Sequence, residues 1–113
     1  MALKPLDWIG SSLDDLRAFP TVARQRAGFE LYRVQQSLDP TDWKAMTSVG
    51  PGVREIRIHT GREHRILYVA SFAEAVYILH AFEKKSRATP QREVDLARRR
   101  LAQLLARRPR RKK

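Results

Sequence analysis

With 113 residues, the chain has room for one domain and a single small core. Hydrophobic residues make up 42% and charged residues 31%, the balance of a folded domain rather than a disordered chain. There is no cysteine, which excludes disulfides, thiolate nucleophiles and cysteine zinc sites, and 23 basic against 12 acidic residues leave a formal charge of +11.

In chain order, Leu6–Ile9 reads as a short strand closed by Gly10. Ser11 or Ser12 then caps a short helix, Ser12 and Asp15 approximating a capping box. Phe19-Pro20 ends that helix, because the residue before a proline is pushed out of the helical region. A second helix is expected from Thr21 to about Leu38, on the stripe Ala23, Ala27, Leu31, Val34 and Leu38. Gly28 inside it costs about 1 kcal/mol relative to alanine. Residues 39–52, from Asp39-Pro40 to Val49-Gly50-Pro51-Gly52, read as a loop.

Three strands should follow. Val53 to His59 alternates, with Arg54, Ile56 and Ile58 on one face and Glu55, Arg57 and His59 on the other. After a turn at Thr60–Glu63, His64 to Ser71 is rich in strand formers; Phe72-Ala73-Glu74 turns again, and Ala75 to Phe82 is the third strand. Short connections make these an antiparallel meander. Glu83 to Thr89 is a basic loop, Thr89 caps the last helix and Pro90 opens it. Val94, Ala97, Leu101, Leu104 and Leu105 form its apolar stripe, with Arg98, Arg99 and Arg100 read as a solvated face. Residues 107–113 read as a disordered basic tail. The expectation is a single domain over 1–106. Its class is α+β: a small, mainly antiparallel sheet with two N-terminal helices and one C-terminal helix packed on it. No apolar run approaches the roughly 20 residues of a membrane span, and the first residues form no signal peptide, so a cytoplasmic location is expected.

Charge is divided unevenly. Residues 1–56 hold seven bases and seven acids; residues 57–113 hold the other sixteen bases against five acids. Such asymmetry points to a polyanionic partner, nucleic acid first, then an anionic membrane or an acidic protein. His59, His64 and His80 show no metal-ligand spacing, so no metal and no cofactor is expected. What remains is a set of cations on and beside the sheet: Arg57, Arg65, Lys84, Lys85 and Arg87, with Tyr68 or Tyr77 available to stack on a base. Together with His80, such a cluster suits RNA cleavage by the substrate's own 2′-OH, which needs charge stabilisation and proton transfer but no metal. Each residue also has an ordinary role open to it. Arg57 suits an ion pair with Glu55, His59 and His64 suit surface turns, His80 suits a structural hydrogen bond, and the tyrosines suit the core.

The chain resembles the phage-derived, HigB-like toxins of the RelE/ParE superfamily. The resemblance is carried by Trp8-Ile9-Gly10-Ser11-Ser12 with Asp15-Leu16 and Phe19-Pro20, then Lys44 and Gly50-Pro51-Gly52-Val53-Arg54-Glu55-Ile56-Arg57. Arg65-Ile66-Leu67-Tyr68 and the stretch Tyr77 to Ser86, with Thr89-Pro90 after it, continue the match over about residues 5–105. It implies a toxin of a type II toxin–antitoxin pair, cleaving mRNA on the ribosome without a metal. It also implies a helix-turn-helix antitoxin partner that binds the toxin in a hetero-oligomer. By position, Arg65 matches the strand arginine at the scissile phosphate, while Arg57, Lys84 and Lys85 match the other basic site positions. His80 or Tyr68 is the acid/base candidate, and Lys44, Arg62, Arg87 and Arg98 are candidate RNA contacts. Lys44 and Glu55 match recurrent positions without an assigned role. Since fold transfers more safely than chemistry, two rivals stand beside this reading: a non-catalytic gyrase inhibitor on the same scaffold, and a plain basic nucleic-acid-binding module.

Overall fold

A computed structural model describes residues 3–108. The chain forms strand β1 (Leu6–Trp8), helices α1 (Ser12–Arg17) and α2 (Thr21–Gln35), strands β2 (Trp43–Ala45), β3 (Val53–His59), β4 (Glu63–Val69) and β5 (Val76–Lys84), and helix α3 (Gln91–Arg107). The five strands make one sheet in the order β1-β5-β4-β3-β2. All pairs are antiparallel except β1–β5, where Leu6 faces Val76 in parallel register. This is the expected α+β class, with the helices divided between the two sheet faces.

Strand alternation builds a core on each face. Ile56, Ile58, Ile66, Tyr68, Val76 and Ile78 face α1 and α2, meeting Leu16, Phe19, Ala23, Ala27, Leu31 and Val34. Val53, Leu67, Val69, Tyr77 and Leu79 face α3, meeting Val94, Ala97, Leu101 and Leu104. A register shift at Leu67/Tyr68 pairs Leu67 with His80 and Tyr68 with Ile78, leaving Leu79 as the extra residue. The Leu79 carbonyl accepts from Arg100 Nη1 at 2.9 Å. Arg100 is therefore buried at 8% exposure, not part of a solvated arginine face. It also packs against Gly10, where an added Cβ would stand 2.7 Å from Arg100 Nε. Burial lowers the Arg100 pKa.

Other expectations change locally. The second helix stops at Gln35, because Ser37 takes φ 66°, a left-handed conformation that breaks the helix; Leu38 is left exposed. Within the expected loop, Trp43–Ala45 pairs with β3, Trp43 against Ile56; three residues are too few to show a period. Ser11 occupies the N-cap position of α1, but no serine or threonine side chain caps a helix as expected. Ser12 Oγ donates to the Ile78 carbonyl at 3.1 Å, and Ser11 Oγ donates to Asp15 at 2.8 Å. Pro90 occupies the N-cap position of α3, and Thr89 bonds to a strand carboxylate. Arg107 and Arg108, expected within the tail, are held by the domain: Arg107 ends α3 and pairs with Asp7 at 3.1 Å, while Arg108 pairs with Glu74 at 2.6 Å and lies 3.7 Å from the Phe72 ring centre. Residues 109–113 lie outside the described residues.

Ile66 is fully buried at the centre of the sheet, among the side chains facing α1 and α2. Ile66→Ala should lower unfolding free energy by about 2–5 kcal/mol, read by urea denaturation, because a cavity is added to the lost burial.

Candidate functional site

The α3 side of the sheet is apolar where α3 covers it and charged beyond. On β3, the alternation that points Val53 at α3 also points Glu55 and Arg57 that way. On β4 the same holds for Glu63 and Arg65, with Arg57 directly opposite Arg65. On β5, Lys84 lies opposite Glu63.

Glu55 organises this group. It is 1% exposed, and one carboxylate oxygen lies 3.7 Å from Arg65 Nε and 4.0 Å from Arg57 Nε. The other oxygen accepts from the Thr89 hydroxyl at 3.2 Å, tying down the loop before α3. Arg65, 3% exposed, also pairs with Glu63 at 3.0 Å and donates to the His64 carbonyl. It is thus held inside the protein, away from the solvent that a direct phosphate contact requires. Arg57 is the outward member of the pair, with a third of its side chain exposed.

Arg57 opens into a cleft of about 440 Å³ between β2, the sheet and the start of α3. Lys44, Lys84, Arg87 and Arg98 line it too, together with Thr89 and Gln91. Lys84 Nζ donates to the Arg87 carbonyl, and Arg98 Nε donates to the Ser48 carbonyl. Desolvation lowers the Lys84 pKa, and the positive charges of Arg65, Arg57 and Lys44 add to the effect against the opposing pull of Glu55. Helix α3 has no side-chain cap at this end, so its positive dipole end adds to the field. Five cationic side chains thus converge with no carboxylate on the lining, an arrangement suited to a phosphate chain.

The remaining candidates lie elsewhere. Lys85 is exposed and does not line the cleft. Arg62 pairs with Glu83 at 3.1 Å on another groove. His80 is buried under the first turn of α3, its Nε2 2.8 Å from Glu93 and its ring stacked on Phe82. Tyr68 is 1% exposed on the opposite face of the sheet, where burial raises its pKa. Neither His80 nor Tyr68 reaches the cations of the cleft. Tyr77 is buried and donates to Glu74 at 2.6 Å. Glu74, which also accepts from Arg108, has its pKa lowered to about 2. His59 stands between Asp42 and Glu63, each at 2.7 Å, and these carboxylates raise its pKa. His64 packs on Phe19 with ring centres 4.4 Å apart, and burial lowers its pKa. Among the described residues, no group of three or more histidines and carboxylates is placed to hold a metal ion. Likewise, no described helix is long and apolar enough to cross a membrane.

A family model described as phage derived protein Gp49-like (DUF891) matches residues 14–102. No curated protein matches the chain.

Glu55→Ala leaves Arg65 buried with half its compensation gone. It should cost about 3–5 kcal/mol by urea denaturation, more than a surface ion pair is worth. His64 gives a pH signature of definite sign. Its folded pKa lies below the ordinary 6.5, so below that pH the unfolded chain takes up a proton that the folded chain resists. The His64 contribution to stability should therefore be lost as pH drops from about 7.5 through this window. His59, whose pKa Asp42 and Glu63 raise, contributes a slope of opposite sign, so the readout is the difference between wild type and His64→Leu, which should lose the His64 contribution alone.

Proposed function

The chain belongs to the phage-derived, toxin-like Gp49-like family, and from that membership we propose that it is a HigB-like toxin that cleaves mRNA on the ribosome. The observation that carries the reading is the cationic cleft built on Arg57 and Lys84. Cleavage by internal attack forms a bond from the 2′-oxygen to phosphorus and breaks the bond from phosphorus to the 5′-oxygen. It leaves a 2′,3′-cyclic phosphate and a 5′-hydroxyl. The protein must take the 2′-proton, hold the added negative charge and return a proton to the leaving oxygen.

Arg57 serves the second task, its guanidinium set against the non-bridging oxygens. Lys84 serves the first, its amine on the cleft wall and its pKa lowered from the ordinary lysine value by desolvation and the neighbouring cations. Lys44, across the cleft, returns the proton as an ammonium. Arg87 and Arg98 hold neighbouring phosphates. Arg65 acts from behind, keeping Arg57 and Glu55 in place, a different role from the direct contact that the resemblance implies. The cleft supplies cations and no histidine or open carboxylate, so catalysis rests on charge and positioning, which a substrate presented by the ribosome favours. In this reading the toxin acts in the cytoplasm and is neutralised in a hetero-oligomer with a helix-turn-helix antitoxin.

The test is induced expression in a bacterial host with mapping of mRNA 5′ ends. Wild type should arrest growth and create new ends; Arg57→Ala and Lys84→Met should each slow cleavage by about 10²–10³-fold while remaining folded. Arrest with intact mRNA and lost DNA supercoiling would replace this reading with gyrase inhibition. Undiminished cleavage by both variants would remove the assigned site.

A further inference from the structure

Helix α2 carries apolar side chains on two sides, the outer set interrupted by the exposed Gln25. Ala23, Ala27, Leu31 and Val34 are buried against the sheet, while Val22, Phe29 and Tyr32 stand 63%, 53% and 49% exposed. Val22 and Phe29 are two turns apart and Tyr32 lies three residues further, so the three share one outer stripe.

Gly28 lies beside that stripe. Its backbone is helical, and an added Cβ would meet nothing within 4 Å. Nothing in the fold calls for a glycine there, and a glycine inside a helix is unfavourable. What it provides is a low place on the helix surface where another backbone can come close. The flanks are basic, with Arg24 and Arg26 exposed. The single acid of α2, Glu30, is buried and accepts from the Thr41 N–H at 2.7 Å.

We propose that the outer face of α2 docks an amphipathic helix of another protein. Its apolar stripe seats on Val22, Phe29 and Tyr32, its backbone crosses at Gly28, and its acidic flanks pair with Arg24 and Arg26. A second copy of this chain fits poorly, because two such faces would bring their arginines together without an acid between them. Nucleic acid fits less well than a helix, since Val22 and Gly28 offer no stacking surface. The face lies across the sheet from the cationic cleft, so an occupied α2 leaves Arg57 and Lys84 open. The docking therefore holds whether or not the cleft cleaves RNA.

Fluorescence anisotropy of the full chain with a synthetic helix tests this. The probe carries leucines at helical spacing with glutamates on its flanks, and its control carries lysines instead. The glutamate helix should bind and the lysine helix should not. Phe29→Ala should weaken binding at least about tenfold. Gly28→Gln should weaken it too while raising the melting temperature, an outcome a structural glycine would not give. The double variant Arg57→Ala, Lys84→Ala should bind as wild type does. Four results would overturn the proposal. They are no binding of the glutamate helix, binding lost with the cleft variants but not with Phe29→Ala, a single-stranded oligonucleotide that binds through Phe29, or a dimer by sedimentation that Phe29→Ala dissociates.

Discussion

One buried carboxylate faces two arginines, and the working face of the sheet depends on it. Arg57 and Arg65 are direct cross-strand neighbours, a placement that unbalanced like charges would resist. Glu55, two residues before Arg57 on the same face, stands near both. At 3.7 and 4.0 Å these are charge contacts longer than hydrogen bonds, and the Nε atoms of both arginines are without a hydrogen-bond partner among the described residues. Glu63 also pairs with Arg65, at 3.0 Å, so Arg57, whose one carboxylate contact among the described residues is at 4.0 Å, is the less fully paired of the two and faces the cleft. Because the other oxygen of Glu55 holds Thr89, the same residue fixes where the chain enters α3.

Helix α3 divides its side of the sheet into two regions with different physics. Under the helix, Leu67, Val69, Tyr77 and Leu79 meet Val94, Ala97, Leu101 and Leu104, and burial of apolar area supplies the stability. Beyond its first turn the sheet carries Glu55, Arg57, Arg65 and Lys84, where replacing charges with apolar groups of similar shape would often stabilise a protein. In the proposed function that region is the part shaped by binding rather than by folding. The β-bulge at Leu79 belongs to the first region, and Arg100 satisfies its freed carbonyl from α3.

Much of this architecture is legible in the amino-acid order. The alternation over Val53–His59 by itself places Glu55 and Arg57 on one face, and β3 has those same bounds. Parity also carries a lesson about Tyr68: three positions from Arg65 on one strand, it must point to the opposite face and cannot share a site with it. Other features depend on register, which a single strand does not carry. Lys84 reaches the cleft because β5 pairs with β4, and Arg65 is buried because Glu55 and Glu63 converge on it from two strands. Strand β2 is too short to show a period, and Thr89-Pro90 has the form of a helix cap although its hydroxyl bonds to Glu55. The pairing of His80 with Glu93 is equally hidden, since it joins β5 to α3 across thirteen residues.

The proposed function makes the Glu55-anchored cations a phosphate-binding cleft. A side-chain NMR titration with a short RNA blocked by a 2′-O-methyl group at the scissile position tests it most directly. The Arg57 Nε–H and Lys84 Nζ signals should shift, those shifts should be lost in Arg57→Ala, and no change should appear at Tyr68 or along the outer face of α2. Binding that leaves Arg57 and Lys84 unshifted, or that survives unchanged in Arg57→Ala, would contradict it.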